Sequence, residues 1–369
     1  MDILLIGSGI CAKTFLSVMT RSPHTVTQIL GNTEDHPDSC SILPVVSNVF
    51  DKIHKRSSFN KDSINLTKIS LCDQNGNLLR MFDVDETFAQ LGEFRSIDWE
   101  PLNNLIGGDP KPNKILEDSM VKAFDYGFDK IKVSFINGDI LDFDLVVITD
   151  NDDYIRNKVL RIKQSRQDLG WLMWHWSTDD EILGEEDFLQ CSGHKYYFKV
   201  HRTPTKTQCF MALPKRDIET YALNEVIDEV VDRCHQFDPI IGRVFASAPK
   251  ARIKPLKMIS GISERWIDNR LALCGPAAIK LLPTSSFEIP LAIKGAFILA
   301  QNVAEKDGQT VDHGLKEYVK QCHEMMESVR FITYKHFKDD FTRTRPRNSE
   351  EMDRFLHQIF ASVSKGLAI

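Results

Sequence analysis

Gly7, Gly9 and Ala12 follow directly on an apolar run, Ile3-Leu4-Leu5-Ile6, and lead into a helical stretch from Lys13 to Thr20. This order of strand, Gly-x-Gly-x-x-Ala and helix is what the diphosphate of an adenine-containing cofactor requires. Gly7 permits the tight turn, Gly9 lets backbone approach phosphate, and Ala12 lets the helix pack closely on the strand. Ser8 and Ile10 complete the turn. The free N–H groups and positive dipole end at the start of the helix then face the anion.

A second candidate is the densest aromatic cluster in the chain, Trp171-Leu172-Met173-Trp174-His175-Trp176. It suits the wall of an aromatic pocket, which makes Trp174, His175 and Trp176 the expected substrate-binding residues. Plain core packing is the rival reading, because in a strand Trp174 and Trp176 share one face and Met173 and His175 the other. His175 and His201 are the right type for a general base, yet a histidine in a strand is more often a satisfied structural group, so no catalytic residue is assigned. The acid runs Asp179-Asp180-Glu181 and Glu185-Glu186-Asp187 lack the spacing and turn glycine of a calcium loop and read as solvated loops. No metal site is expected.

These groups need a scaffold. At 369 residues the chain exceeds the roughly 250–300 residues at which single cores stop growing, so more than one lobe is expected. A net charge of −6 gives no reason to expect nucleic acid as a partner. Eight cysteines without a Cys-x-x-Cys pair fit reduced thiols and a cytoplasmic protein. No apolar run approaches the ~20 residues that span a bilayer.

Thr25 to Leu30 reads as a second strand and Pro44 to Ile53 as a helix. Asn75-Gly76 and Asn137-Gly138 mark hairpins, and Leu145 to Thr149 is a strand buried on both faces. Tyr196 to His201 and Gln208 to Leu213 suggest an antiparallel sheet. Ile218 to Gln236 reads as a helix and Leu271 to Cys274 as a short strand. Ala292 to Glu305, Gly314 to Phe337 and Ser349 to Lys365 form a helical C-terminus.

Three segments together resemble the class A flavin-dependent monooxygenases. Gly7, Gly9 and Ala12 match the first FAD motif of that family. Phe143-Asp144-Leu145-Val146-Val147-Ile148-Thr149-Asp150-Asn151 is similar to its "aDLVVgADG" segment. Arg270-Leu271-Ala272-Leu273-Cys274-Gly275-Pro276-Ala277-Ala278 is similar to its "GRVvLiGDAAH" segment. The resemblance implies an α/β fold: a Rossmann-like FAD lobe with a doubly wound sheet, an inserted antiparallel substrate sheet and a helical C-terminus. The FAD lobe is expected over 1–60, 105–170 and 251–330, the substrate lobe over 61–104 and 171–250, and the helical segment over 331–369. It further implies a monooxygenase that oxidises an aromatic or polycyclic small molecule with NAD(P)H and oxygen, through a flavin hydroperoxide. Gly7, Ser8, Gly9, Ile10, Ala12, Asn113, Asp150, Gly275, Pro276 and Ala277 are its implied cofactor-binding residues.

The motifs depart from the family pattern. The acid that closes the second strand falls on Gly31, and the arginine of "R-x-x-L-x-x-x-L" falls on Asn113 if Leu116 and Met120 are its apolar partners. Asn151 replaces the glycine of "DG", Pro276 the aspartate and Ile279 the histidine of the third motif. The loop Thr284 to Ile289 has no glycine. Each lost hydrogen bond to a charged group is worth about 1.5–3 kcal/mol, and about 1.4 kcal/mol is tenfold in affinity, so weakened FAD binding is expected. Pro276 at a first helical position gives up only an orphan N–H and leaves Ala277 and Ala278 to face a phosphate. Two further readings stay open: a non-redox cyclase or isomerase on the same fold, and a non-catalytic partner subunit. The last helix, with Ser349 as its cap and Met352, Phe355, Leu356, Ile359, Phe360 and Val363 on one face, serves either as a peripheral or partner contact or, preferably, as a cover for the FAD lobe.

Overall fold

The computed structural model describes residues 1–31, 38–73, 77–84, 93–108, 111–117, 120–150, 153–179, 183–194, 196–217, 256–304, 310–343 and 348–364. The Ile218 to Gln236 helix and the Asn75-Gly76 turn lie outside these residues.

The strand Asp2–Ile6 is the centre of a six-stranded sheet because its apolar run leaves no face for water. Thr25–Ile29 and then Lys114–Leu116 lie on one side of it, and Leu145–Ile148, Leu271–Leu273 and Ile267–Asp268 on the other. All pairings are parallel except the outermost, Ile267–Asp268 with Leu271–Leu273. Ile3, Leu4 and Leu5 are fully buried, as are Leu145, Val146 and Val147. A parallel sheet needs cover on both faces. Helices Ile10–Met19 and Glu288–Ala304 contribute to this core, as do Val121, Ile131, Val133 and Phe143 of the three-stranded antiparallel sheet Val121–Tyr126, Ile131–Phe135 and Ile140–Phe143. The Asn137-Gly138 hairpin is present, with Gly138 at φ +96° and its N–H donating to Phe135 O at 3.1 Å.

The second large sheet has eight strands, in the order Ile279–Lys280, Leu256–Ser263, Gln164–Thr178, Thr207–Pro214, Tyr197–Arg202, Phe188–Ser192, Lys68–Asp73 and Leu78–Asp83. Only Phe188–Ser192 with Lys68–Asp73 is parallel. Sheet membership differs from the expected segmentation in two places. The 15-residue strand Gln164–Thr178 runs straight across the 170/171 boundary, pairing with Leu256–Ser263 over its first half and with Thr207–Pro214 over its second. Leu256–Ser263, assigned from sequence to the FAD lobe, belongs to this sheet. A small fourth sheet, Ser39–Ile42, Arg95–Asp98 and Ser63–Asn65, completes the strands among the described residues.

The helix Val311–Thr342 begins where Thr310 accepts the His313 N–H at 3.3 Å. Ser349–Ser364 is capped by Asn348 rather than Ser349: Asn348 Oδ1 accepts from Glu351 N at 3.0 Å, and the Glu351 carboxylate accepts from Asn348 N at 3.1 Å. That is a reciprocal capping box. Ser349 instead donates to Leu79 O at 2.7 Å, tying the helix to the edge of the eight-stranded sheet. Its apolar face packs there, with Met352 buried among Leu66, Ile69, Leu71, Phe82 and Phe188. The helix therefore covers the edge of the eight-stranded sheet through Met352, while Ile359 further along it joins the core of the parallel sheet. No helix among the described residues is long and apolar enough to cross a membrane.

Candidate functional site

One cavity of about 640 Å³ joins the two large sheets. This lies within the roughly 300–1,000 Å³ of small-molecule and cofactor sites. At one end lie Ser8, Gly9, Ile10 and Lys13 of the first turn and helix, with Trp99, Asn103, Asp150 and Pro276. At the other lie Met173, His175, Lys199, His201 and Phe210 on the face of the eight-stranded sheet, with Ser39 and Cys40.

The turn is shaped by backbone. Gly7 sits at φ +132°, its N–H bonded to Ile29 O at 3.0 Å and its carbonyl held by Gln28 Nε2 at 2.7 Å. A Cβ there would lie 2.1 Å from Thr149 Oγ1. Gly9 is the N-cap of Ile10–Met19 in an extended conformation that any residue adopts, and a Cβ on it would meet nothing within 4 Å. The helix starts at Ile10, three residues before the sequence expectation, because Gly9 O accepts from Lys13 N at 3.1 Å. Ala12 is fully buried beneath the turn and makes the close helix packing rather than lining the cavity.

Asp150 lies against Gly31, at the end of the second strand. A side chain on Gly31 would begin 1.6 Å from Asp150 Oδ2, so the carboxylate that follows the strand Leu145–Ile148 leaves room only for glycine there. The third motif is also rearranged. Gly275 takes φ +56° against Cys11, whose Sγ is 3.6 Å from Cys274 Sγ. Among Gly275, Pro276 and Ala277 only Pro276 lines the cavity. The Ala278 N–H is bonded to Gly275 O at 3.0 Å, which corrects the expectation that it is free to face a phosphate.

Asn113 is not at the site. Its N–H bonds Val26 O at 2.8 Å and its Oδ1 accepts from Val26 N at 2.7 Å, which pins the sheet at Lys114–Leu116. The spacing "R-x-x-L-x-x-x-L" is met instead by Trp99, Leu102 and Ile106 on the helix Trp99–Gly107. Leu102 and Ile106 are buried, and Trp99 faces the cavity one turn from Asn103, which accepts from Lys13 Nζ at 2.5 Å. Trp99 stands at the first position of that spacing, where the pattern has arginine.

Strand alternation splits the aromatic cluster. His175 lines the cavity together with Met173, whereas Trp174 and Trp176 point to the other face and pack with Cys191, Phe198, Val200 and Met211. The pocket-wall role expected of Trp174 and Trp176 is thereby corrected, for a two-residue period cannot aim neighbours the same way.

Register places His175, Phe210 and Lys199 in one row across three strands, with Ser177, Gln208 and His201 in the next. Lys199 is 2% exposed, donates to Ser286 Oγ at 2.8 Å and lies 4.0 Å above the Phe210 ring. Burial pulls its ammonium down to about 7. His201 is 1% exposed with Nε2 3.2 Å from Ser39 Oγ, and burial, aided by Lys199, holds it well below the usual histidine value. Burial pushes the Cys40 thiol upward, so it stays protonated. Ser286, in the loop that lacks glycine, takes φ +59° and keeps the left-handed turn with a side chain. Sequence reasoning missed Lys199, although the uninterrupted apolar and aromatic neighbours of Tyr197 to His201 leave no solvent face for a lysine.

A parallel sheet with a glycine turn, set beside a largely antiparallel sheet that floors a shared cavity, is the fold of the FAD-dependent monooxygenases. HpxO of Klebsiella pneumoniae complexed with FAD superposes with a TM-score of 0.80 at 14% identity, over 99% of this chain and 94% of that one. PqsL of Pseudomonas aeruginosa in complex with 2-aminobenzoylacetate gives 0.82 at 17%, over 96% and 99%. CtdE in complex with FAD and a substrate gives 0.74 at 14%, over all of both chains. No protein-family model and no curated protein matches the sequence.

Proposed function

We propose that the chain is an FAD-dependent monooxygenase that oxidises an aromatic or polycyclic small molecule, with NAD(P)H as reductant. The observation that carries this reading is the single cavity running from the Gly9 helix terminus to the side chains on the antiparallel sheet. The open space over Gly9 and the N-terminal dipole of Ile10–Met19 fit a diphosphate. Ser8, Gly9, Ile10 and Pro276 would hold that part of FAD, and Asp150 would serve the adenosine ribose in place of a second-strand acid. Bound flavin supplies the redox chemistry with oxygen, and the protein supplies orientation and dryness. Met173 and Phe210 wall the substrate end, while His201 is held neutral there and cannot act as a cation. Segments 1–60, 105–163 and 264–330 would form the cofactor lobe once the two misassigned strands are moved. HpxO has been solved with FAD and uric acid and PqsL with 2-aminobenzoylacetate, both small conjugated molecules, which supports the substrate class.

Titration with FAD is expected to quench flavin fluorescence saturably and to raise the melting temperature, as linkage requires of any ligand of the native state. A flat titration overturns the proposal. Trp99→Arg, which restores the cation of the "R-x-x-L" pattern, is expected to tighten FAD roughly tenfold, the effect of one hydrogen bond to a charged group. Unchanged affinity would show that this helix does not face the cofactor. The replaced arginine and missing second-strand acid also favour a second reading, a non-redox catalyst on the same fold. Substrate turnover without oxygen or reductant would select it.

A further inference from the structure

Lys199 is a buried cation without a carboxylate partner among the described residues. It touches a hydroxyl, Ser286 Oγ at 2.8 Å, and the face of Phe210 at 4.0 Å. An ammonium in such a place is costly unless something compensates it. The acids that line the same cavity, Asp150 and Glu288, make no ion pair with it. Ser39, Cys40, His175 and His201 surround this end of the cavity. The Cys40 thiol is kept protonated and the His201 imidazole neutral by burial, so neither supplies a negative charge. His201 also leaves its buried Nδ1 without a hydrogen-bond partner among the described residues. This end of the cavity thus has a buried amine without a carboxylate partner among the described residues, an unsatisfied neutral imidazole and apolar walls at Met173 and Phe210.

We propose that the substrate is an acidic conjugated molecule, a carboxylate or an ionised enol or phenol, whose anionic oxygen pairs with Lys199 Nζ. This deepens the monooxygenase reading by naming the substrate class of the same cavity. The anion supplies the missing counter-charge, and the flat ring lies against the apolar wall. A charge-assisted hydrogen bond in a site closed to water is stronger than its neutral equivalent and discriminates against an amide of the same shape. Ser286 orients the ammonium from the loop side, which gives its left-handed backbone a purpose in the pocket.

The test uses 1-naphthoate and 1-naphthamide, which share a ring and differ in charge, titrated calorimetrically into the full chain without added FAD. Wild type is expected to prefer the naphthoate roughly tenfold or more. Lys199→Gln should abolish the preference, and Lys199→Arg should retain it. Near-UV circular dichroism of each variant checks that the cavity is intact. Equal binding of the two probes by wild type, absence of naphthoate binding, or a preference that survives in Lys199→Gln overturns the proposal. Because flavin is left out, failure of the FAD reading would appear separately, in the FAD titration.

Discussion

Gly7→Ala is expected to destabilise the protein by about 2–4 kcal/mol, while Gly9→Ala is expected to leave stability unchanged and weaken FAD binding roughly tenfold or more. The two glycines stand two residues apart in one motif and yet do different work. Gly7 holds φ +132°, and a methyl on it would lie 2.1 Å from Thr149 Oγ1 and 2.5 Å from Asp150 Oδ1. Both backbone strain and a clash with fixed neighbours result, and a strained residue alone costs about 1–3 kcal/mol. Gly9 is already in an extended conformation, and its methyl would enter open space in the cavity. That space is where a phosphate has to approach the backbone. Thermal denaturation of both variants, followed by flavin titration, checks the pair. Equal stability of Gly7→Ala and wild type would contradict the turn geometry, and wild-type FAD affinity in Gly9→Ala would remove the diphosphate from this turn.

The second large effect concerns Lys199. Lys199→Met is expected to make the ligand-free protein more stable at pH 7 by about 2–4 kcal/mol, as replacement of a buried ion by an apolar residue of similar volume allows. The ammonium titrates near 7 in the folded chain and at 10.5 in an ordinary environment. Between those values the unfolded chain holds a proton that the folded chain has released, so stability rises with pH across this window. The penalty is complete at and below pH 7 and gone above 10.5. The advantage of the methionine variant should therefore shrink across the same interval. Cys40 pulls the other way, since its folded thiol keeps a proton that an unfolded one gives up above about 9, its ordinary value; being present in both proteins, it cancels in the comparison. His201, held low, acts only on the acid side. Chemical denaturation of both proteins at several pH values measures the difference, and a gap that does not narrow toward pH 10.5 would contradict a buried charge at this position.

Much of the scaffold was legible because it follows from periods and punctuation. The runs Ile3 to Ile6 and Leu145 to Ile148 have no polar face and form the middle of the parallel sheet. Asn137-Gly138 fixed a hairpin by its turn chemistry, and the pairing of Tyr197–Arg202 with Thr207–Pro214 matched alternating aromatic strands. The site was less legible. Asn113 was a decoy, because two apolar residues at the right spacing recur by chance, and Trp99 with Leu102 and Ile106 meets the same spacing at the cavity. Asp150 was found through its motif, but its encounter with Gly31 joins strands far apart in sequence. Lys199 carried no motif at all, and its importance arises only when the register sets it beside Phe210 and Ser286.

The 15-residue strand Gln164–Thr178 spans on the order of 50 Å at about 3.3 Å per residue, unbroken except for a shift in register between Asp168 and Leu172. It works as a ruler within the eight-stranded sheet, with Leu256–Ser263 beside one half of it and Thr207–Pro214 beside the other. One covalent segment fixes the spacing of the side chains that this strand turns toward the cavity, Met173 and His175. Divergence in the size of the molecule accepted must then come from exchanging side chains on every second residue of that ruler. A library that varies Met173, His175 and Ser177 would explore recognition, whereas one that varies Trp174 and Trp176 would mostly sample ways of unfolding.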